Sequence, residues 1–508
     1  MRISFYLSRG RRAFALAFAP VLVAFAAWAE QAPDYAADVP PGLLTPNEVQ
    51  TDFLGELRFF DGMPLPETAE RLYDYLDFHR GVETFHTGMP AASVYAIIEG
   101  LRAEGVEPGD LGIFEELLDA RSLFLTPNTT SLYAWGAIDL TDGPVVMEVP
   151  PGVLGMVNDA YFRYVVDLGK AGPDAGAGGA YLFLPPGHTG DTPDGYHVVE
   201  TQTNFHEFFF RGSVTDGDTA AAAQAIKDAF RQYRLAEADA PGEQKFVNLS
   251  GRQMNTIHSN DMSFFEELNA AVQREPDGAF PPEIAGQWAA VGIRRGRDFA
   301  PDERMRAILE DAVKVGNATA RALNFAPRAL RFDFYEDRQW WSPFAGGSHE
   351  FLDGAVRMID DRIMFHYYAT GITPAMVLPK PGTGSAYEVA NTDAAGDYLH
   401  GGRSYSLTLP APIPAGDFWS LVVYSGQTRS ILETDQKLAG LDSTLDGVAP
   451  NADGSYTIWF GPEAPEGREG NWIQTMPDKS YSVILRLYAP LQPWFDKTWK
   501  PGDFQPEN

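Results

Sequence analysis

The stretch PVVMEVPP at residues 144–151 sets the pattern for the first half of the chain. Its β-branched residues favour a strand, and the proline pair ends that strand because proline cannot donate to a sheet ladder. Similar short runs follow between glycine- and proline-containing turns: YFRYVVD at 161–167, AYLFL at 180–184 and YHVVE at 196–200. Short strands at this spacing predict a β-sandwich over residues 122–215.

Apolar residues recur at helical spacing before these strands. Residues 66–121 are therefore predicted to be mainly helical, with a first helix through Leu72 and Leu76. Pro90 is expected to open a second helix, because proline is tolerated in a first turn but not in a helix interior. A third short turn is predicted near Leu118.

A longer helical section is predicted after the strands, over residues 219–375. One helix begins at 301–303, where proline and acidic residues suit a helix N-terminus. Another is predicted from Ser348, as an N-cap, to Gly371, as a C-terminal stop. The chain then returns to strands, the clearest of which are residues 405–409, 418–424, 456–460 and 481–488.

Together these patterns predict a multidomain α+β protein, with two β-rich regions and a helical joining section. The predicted divisions are a signal segment (1–29), an extended lead-in (30–65), a helical start followed by strands (66–218), the joining section (219–375) and a C-terminal β-region (376–508).

The N-terminus has the three parts of a secretory signal. A basic segment (2–12) precedes a short apolar run (13–26) and the small-residue site Ala27-Trp28-Ala29. We expect cleavage near Ala29 and a periplasmic or secreted protein without stable membrane insertion. An uncleaved anchor is the alternative, and the Arg11-Arg12 pair leaves the general secretory and twin-arginine routes open.

Charge and composition exclude several classes of function. The formal net charge of -30 repels phosphate backbones, so we expect no nucleic-acid partner. The chain has no cysteine, which rules out disulfides and thiolate chemistry. It also has no P-loop, GxGxxG, GxSxG or HExxH motif, so no metal site is assigned and the cofactor stays undetermined.

Polar residues in the first β-region form two candidate binding groups. Asn128, Thr130 and Tyr133 lie where Pro127 favours a turn, so they either shape that turn or contact a ligand from a loop. Arg163 is four residues before Asp167, so both face one side of a strand. Two interpretations are open: the two residues form an ion pair, or Arg163 binds a ligand that carries a carboxylate.

Two candidate catalytic groups lie in the joining section. His258 and Asp261 have the spacing that puts both on one side of a helix, where an acid-oriented histidine serves as a general base. A capping network or a divalent metal site are the other interpretations. Arg362 and His366 stack at i, i+4 on the predicted 348–371 helix.

Asp361 and Tyr368 belong to the same predicted helix and are candidate ligand contacts. A polar helix between two β-regions favours a binding site, because ligands often bind at domain junctions. A buried salt-bridge network is the alternative.

Several long motifs resemble a known family. TPNTTSLY at 126–133 and LTDGP at 140–144 resemble the family catalogued as DUF1254. PAGDFWS at 414–420 and NWIQT at 471–475 resemble its usual companion, DUF1214. The resemblance implies an N-terminal immunoglobulin-like β-sandwich, a helical middle section and a C-terminal jelly-roll-like β-sandwich. It implies no particular reaction.

Two hypotheses for function remain open. One is an exported hydrolase or lyase acting on a small organic or carbohydrate-like molecule at the domain junction. The other is a non-catalytic ligand-binding or envelope-assembly protein. Proteins of this size are commonly homo-oligomers, but nothing in the sequence decides the oligomeric state.

Overall fold

The computed structural model describes residues 38–214, 217–328 and 333–507, so the predicted signal segment lies outside the described residues. Contacts divide the chain into two compact units, Met1–Leu72 and Tyr73–Asn508. The described part is a mixed α+β structure with eight α-helices and seven sheets. Within these ranges, no helix combines the length and apolar character that crossing a bilayer needs.

The first unit contains a small antiparallel sheet of order β1-β2-β3. Its strands are β1 (Glu48–Thr51), β2 (Gly55–Phe60) and β3 (Met63–Pro64). Leu57 is the buried apolar side chain of this sheet, whereas Phe53 and Phe60 are exposed.

Helix α1 is one continuous element, Pro66–Ala103, with Pro90 in its interior. The prediction of separate helices was wrong, as was the third turn near Leu118, since residues 104–121 are not helical. An interior proline removes one helical hydrogen bond. Burial of the surrounding turns offsets this loss, because Phe85, Met89 and Val94 are fully enclosed.

Two sheets form the first β-region. The six-stranded sheet has the order β14-β4-β6-β12-β8-β9, and the four-stranded sheet has the order β11-β10-β7-β13. Their apolar side chains join in one buried cluster. The strands, together with the pair β5 and β15, are β4 (Leu111–Ile113), β5 (Ser122–Leu123), β6 (Leu132–Asp139), β7 (Val145–Val149), β8 (Leu154–Asp159), β9 (Tyr164–Gly169), β10 (Gly179–Leu184), β11 (His197–Glu200), β12 (Phe205–Gly212), β13 (Arg231–Arg234), β14 (Phe246–Asn248) and β15 (Met254–Asn255).

Most predicted strands of this region are confirmed, with two differences. The run predicted at 161–167 begins later, at Tyr164, because the three preceding residues form a turn in which Phe162 has a φ of 60°. Strand β13 pairs with β7, so the first β-region extends past the predicted boundary at residue 218.

The remaining helices are α2 (Thr219–Ala229), α3 (Ser263–Arg274), α4 (Pro282–Ala290), α5 (Glu303–Phe325), α6 (Ile359–Tyr368), α7 (Pro374–Val377) and α8 (Gln492–Phe495). The predicted start near residue 302 is confirmed, because Asp302 caps α5 by accepting a hydrogen bond from the Met305 amide. The predicted helix 348–371 was too long. The first part of this range forms a hairpin instead, made of β16 (Leu352–Asp353) and β17 (Val356–Arg357). The hairpin turns at Gly354, which has a φ of 60°.

The C-terminal β-region consists of two four-stranded sheets, of order β18-β24-β20-β21 and β23-β22-β19-β25. All four strands predicted there are present. Apolar residues of both sheets join in one buried cluster. The strands are β18 (Ser385–Ala390), β19 (Tyr405–Leu409), β20 (Trp419–Ser425), β21 (Gly440–Asp442), β22 (Tyr456–Gly461), β23 (Trp472–Gln474), β24 (Tyr481–Tyr488) and β25 (Gln505–Pro506).

Candidate functional site

A pocket of about 740 Å³, including the part open to solvent, lies where the two β-regions meet the joining section. Strands β6, β8 and β12 form one side, and β18 and β24 form the other. Helix α6 and the loops before and after it complete the wall. The residues that line it include Asn128, Tyr133, Met156, Phe209, Arg211, Trp341, Phe344, Met364, Phe365, Tyr368, Gly371, Tyr387, Ile484 and Arg486.

Two arginines bring positive charge to this pocket. Arg211 comes from the end of β12 and has no hydrogen bond or ion pair with any described residue. Arg486 comes from β24 and is only 3% exposed. Its guanidinium donates to the Tyr424 hydroxyl at 2.8 Å and to the Thr126 carbonyl at 2.9 Å. Arg486 is thus anchored, whereas Arg211 donates to none of the residues that the structure describes.

None of the described lining residues is acidic. The nearest carboxyl along β12 is Glu207, four residues before Arg211 and therefore on the same strand face. Burial raises the pKa of Glu207 to about 8, although the Trp135 indole donates to it at 3.1 Å. Glu207 is therefore mostly protonated at neutral pH and does not neutralise Arg211.

Three aromatic side chains in the pocket lining offer hydrogen-bond donors. The Tyr133 hydroxyl accepts from the Asn128 amide at 3.2 Å and from Asn128 Nδ2 at 3.0 Å, so its own hydrogen remains free to donate. Trp341 Nε1 and Tyr368 Oη are buried without a hydrogen-bond partner. This arrangement favours an acceptor-rich, anionic ligand over a cationic one.

The pocket tyrosines stay protonated at neutral pH. Burial raises the pKa of Tyr368 to about 12, although nearby Ser482, Arg429 and Arg486 act in the opposite direction. Ser482 is close enough to influence Tyr368, but no hydrogen bond of ordinary geometry joins the two hydroxyls. Burial also raises the pKa of Tyr133, despite the positive charge of Arg211. Both residues therefore act as donors.

The rest of the wall is apolar and aromatic. An added Cβ at Gly371 would lie 2.6 Å from the Phe209 ring and 3.1 Å from Met156 Sδ, so the loop packs tightly against the sheet. The other apolar lining residues are Phe344, Met364, Phe365 and Ile484. The pocket thus combines a cationic, donor-rich end with apolar surface.

The strands on the two sides of this pocket belong to segments that match two known domain families. Residues 108–234 match "Protein of unknown function (DUF1254)", and residues 384–492 match "Protein of unknown function (DUF1214)". The chain is a DUF1254/DUF1214 domain-containing protein. The resemblance predicted from the sequence motifs is confirmed. Arg211 belongs to the DUF1254 domain and Arg486 to the DUF1214 domain, so each domain supplies one arginine.

Two solved structures are similar to this chain, and the first of them supports the fold alone. The crystal structure of the VPA0106 protein from Vibrio parahaemolyticus is 17% identical, with a TM-score of 0.53, and the match covers 85% of this chain and 100% of that one. An uncharacterized protein from Burkholderia cenocepacia is 12% identical, with a TM-score of 0.39 and coverage of 86% and 96%. No curated protein matches the chain.

Three residues predicted as ligand contacts line the pocket: Asn128, Tyr133 and Tyr368. Thr130 is not among the lining residues and shares a hydrogen bond of 2.8 Å with the Tyr488 hydroxyl. Asn128 also shapes its turn, because its Oδ1 accepts from the Thr130 amide. The structural interpretation of this motif is therefore confirmed, and ligand contact by Asn128 and Tyr133 stays a prediction.

Arg163 does not line the pocket, and its predicted pairing with Asp167 was wrong. Arg163 lies in the turn before β9 and pairs with Asp159, with Nε and Oδ2 2.6 Å apart. Asp167 instead accepts hydrogen bonds from the hydroxyls of Thr373 and Tyr164.

His258 and Asp261 also lie outside the pocket lining, and their predicted place on one helix was wrong. Both precede α3, and Asp261 accepts from the Ser263 amide at the helix start. His258 Nδ1 contacts the Ser259 carbonyl, and burial lowers the pKa of the imidazole to about 4.

His366, Arg362 and Asp361 are buried in α6 away from the pocket lining. His366 Nδ1 lies 2.8 Å from the Arg362 carbonyl oxygen, and the ring packs against Phe162 and Phe351. Burial lowers the pKa of His366 to about 3. Among the described residues, no three histidine, aspartate or glutamate side chains come together as metal ligands.

The sequence interpretation missed Arg211, Arg486 and Trp341 as site residues. Both arginines nevertheless carry a signal, because each is a charged residue within a strand that is otherwise largely apolar. An arginine on a strand that is buried on both faces requires a partner or a ligand.

Proposed function

We propose that this protein binds a small organic carboxylate with an apolar or aromatic body in the pocket between its DUF1254 and DUF1214 domains. The observation that carries this proposal is the Arg211 guanidinium, which has no hydrogen bond or ion pair with a described residue, in a pocket whose described lining includes no acid. A partly buried guanidinium is well satisfied by an anion that accepts two parallel hydrogen bonds, as a carboxylate does.

The remaining lining residues narrow the ligand class. A cationic ligand would meet Arg211 and Arg486 without a counter-charge. A neutral sugar would leave Arg211 unpaired and would place hydroxyl groups against Phe209 and Phe365. A carboxylate head at the arginines, with a ring or alkyl body on the apolar wall, satisfies both parts of the pocket.

A panel of matched ligands tests this proposal. We expect benzoate and cinnamate to bind in calorimetric titrations, whereas benzamide and cinnamamide, which are neutral and of similar shape, bind far more weakly. Arg211→Gln should weaken carboxylate binding by about 10- to 100-fold, the range for losing a charge-assisted hydrogen-bond pair. Arg403→Gln is the control, since Arg403 is exposed and outside the pocket lining. Equal affinity for acids and amides would contradict the proposal.

A second candidate function is a hydrolase or lyase acting on such a carboxylate. It is favoured by Tyr133, whose hydroxyl is held by two donors from Asn128 and has a proton left for a leaving group. Arg211 would stabilise negative charge that develops beside it. Incubation of the bound carboxylate, followed by mass spectrometry, distinguishes the two functions, since a binding protein releases its ligand unchanged.

We also propose that the mature protein is exported. The support is the basic, apolar and small-residue pattern of residues 1–29. We expect the purified protein from the periplasm or medium to begin at Glu30. Recovery of the cytosolic protein with Met1 retained would contradict export.

For the two β-regions we propose immunoglobulin-like and jelly-roll-like sandwiches. One buried cluster that joins residues of the six- and four-stranded sheets supports the first. The two four-stranded sheets of the C-terminal region, which share another cluster, support the second. An experimental structure in which either pair of sheets fails to pack face to face would contradict the assignment.

A further inference from the structure

The turn that carries Asn128 begins at a residue in an unusual backbone conformation. Thr126 has a φ of 46°, in the left-handed region that favours glycine and disfavours β-branched residues. Such a conformation persists only where its surroundings hold it. Here the Thr126 amide donates to the Arg429 carbonyl at 3.0 Å, and its hydroxyl donates to the Tyr368 carbonyl at 2.9 Å. The Thr126 carbonyl accepts from Arg486 at 2.9 Å, so all three polar groups are fixed by distant parts of the chain.

Two tyrosines of the DUF1214 domain hold the next residues of the turn. The Tyr424 hydroxyl, from β20, donates to the Pro127 carbonyl. Tyr488 Oη, from the end of β24, lies 2.8 Å from Thr130 Oγ1. The turn belongs to the DUF1254 domain, so these hydrogen bonds join one domain to the other.

Tyr424 also connects Arg486 to the turn. Its side chain is fully buried and is not among the described lining residues of the pocket. Besides donating to Pro127, its hydroxyl accepts from Arg486 Nη1 at 2.8 Å. Burial raises the pKa of Tyr424 well above its usual value, although Arg486 acts in the opposite direction, so the hydroxyl keeps its proton at neutral pH. Arg486 and Tyr424 thus form one network on two consecutive carbonyls of the turn.

The conformation of the turn decides where two pocket residues point. Asn128 Oδ1 accepts from the amides of Thr130 and Ser131 at 2.9 and 3.0 Å, which fixes the Asn128 side chain to the turn. Asn128 Nδ2 in turn donates to the Tyr133 hydroxyl at 3.0 Å. A displaced turn would therefore move Asn128 and release the Tyr133 hydroxyl.

We propose that Tyr424 and Tyr488 are positioning residues of the pocket. From the DUF1214 domain they hold the turn of the DUF1254 domain in the conformation that presents Asn128 and Tyr133 to the ligand. Neither tyrosine is among the described lining residues, so both act through the turn. This inference rests on the carboxylate function proposed above, because that function makes Asn128 and Tyr133 ligand contacts.

Amide hydrogen exchange measures the turn directly and needs no ligand. In Tyr424→Phe, the amides of Thr126, Thr130 and Ser131 should exchange about 2- to 12-fold faster, which corresponds to the loss of one hydrogen bond. Tyr488→Phe should act in the same way on Thr130 and Ser131, so the test survives if one variant fails to fold. Unchanged exchange of these amides in both variants would overturn the proposal.

Tyr405→Phe is the matched control. Tyr405 is also fully buried, lies outside the described pocket lining, and accepts a hydrogen bond from the His400 amide at 3.3 Å. Its replacement removes a buried hydroxyl from the same domain without touching the turn. We expect unchanged exchange at the turn amides. An acceleration as large as that in Tyr424→Phe would refute a specific positioning role, since it would reflect a general loss of stability.

Calorimetric titration with benzoate measures the effect on the pocket. Tyr424→Phe and Tyr488→Phe should each weaken benzoate binding by about 2- to 12-fold, whereas Tyr405→Phe should bind as the unmodified protein does. Unweakened binding in both variants, despite faster exchange of the turn, would show that the turn does not position ligand contacts. Absence of benzoate binding to the unmodified protein would contradict the carboxylate function itself, and hydrogen exchange would still decide whether the two tyrosines hold the turn.

Discussion

Arg211 and Tyr133 lie directly opposite each other on the neighbouring antiparallel strands β12 and β6. Directly opposed residues place their side chains on the same face of a sheet, about 4.5–5.5 Å apart at Cβ. The sheet therefore places a guanidinium that has no described partner beside a hydroxyl whose proton is available. This relationship makes one end of the pocket a donor site for an anion.

Removing the Tyr133 hydroxyl should affect both stability and binding. Tyr133→Phe leaves the Asn128 amide and Nδ2 without their acceptor, so we expect a loss of about 1–3 kcal/mol in the free energy of unfolding. Carboxylate affinity should fall as well. Tyr387→Phe is the matched control for stability alone, because the Tyr387 hydroxyl has no hydrogen bond to a described residue, although the side chain lines the pocket. Urea denaturation of both variants measures the difference, and equal stabilities would contradict the assigned role.

The Gly371 loop should not tolerate a methyl group. Gly371→Ala places Cβ against Phe209 and Met156, so we expect a destabilisation of about 1–3 kcal/mol and weaker ligand binding from a narrowed pocket. Gly242→Ala is the control, since nothing lies within 4 Å of its added Cβ. Thermal unfolding of both variants, with and without benzoate, tests this; a fully stable Gly371→Ala protein would show that the loop can move away.

Glu207 should make stability depend on pH. Its folded pKa of about 8 lies above the usual value of 4.5, so the folded state binds more protons between these limits. The contribution of the protonated form to the free energy of unfolding is therefore fully present below pH 4.5, and it is lost as the pH rises toward 8. The free energy of unfolding falls by at most about 1.4 kcal/mol for each pH unit in this range.

Glu207→Gln should remove this part of the slope while keeping an acceptor for the Trp135 indole. Urea denaturation at several pH values between 5 and 8 provides the measurement. Glu275 and Glu388, whose pKa values burial raises to about 7, contribute in the same direction in both proteins. An unchanged slope in the variant would mean that Glu207 is ionised in the folded state.

Trp341 should matter for binding through its unpartnered indole nitrogen. Trp341→Phe removes a donor that has no acceptor among the described residues, so we expect carboxylate affinity to fall by about 2- to 12-fold. Trp472→Phe is the comparison, because its Nε1 donates to the Gly461 carbonyl at 3.0 Å outside the pocket lining. Calorimetry should show unchanged affinity for that variant, and equal losses in both would argue against a contact through Trp341.

Local patterns in the sequence predicted the strands well. The runs at 405–409 and 481–488 match β19 and β24 at both ends, because β-branched and aromatic residues between turn signals carry this information locally. Pro90 misled the prediction because the burial that keeps α1 continuous comes from distant parts of the chain. The prediction that His258 and Asp261 share a helix failed because spacing alone does not show where a helix begins, whereas Arg362 and His366 do share α6.

The sequence by itself determined the two domain families, the alternation of strands and helices, and the polar turn at 126–133 that reaches the pocket. The tertiary structure alone decided that Arg211 and Arg486 face one pocket and that His258 and His366 do not line it. The physical reason is that strand and turn preferences act between neighbours in the chain. Burial and the loss or retention of a hydrogen-bond partner depend on segments that meet only after folding.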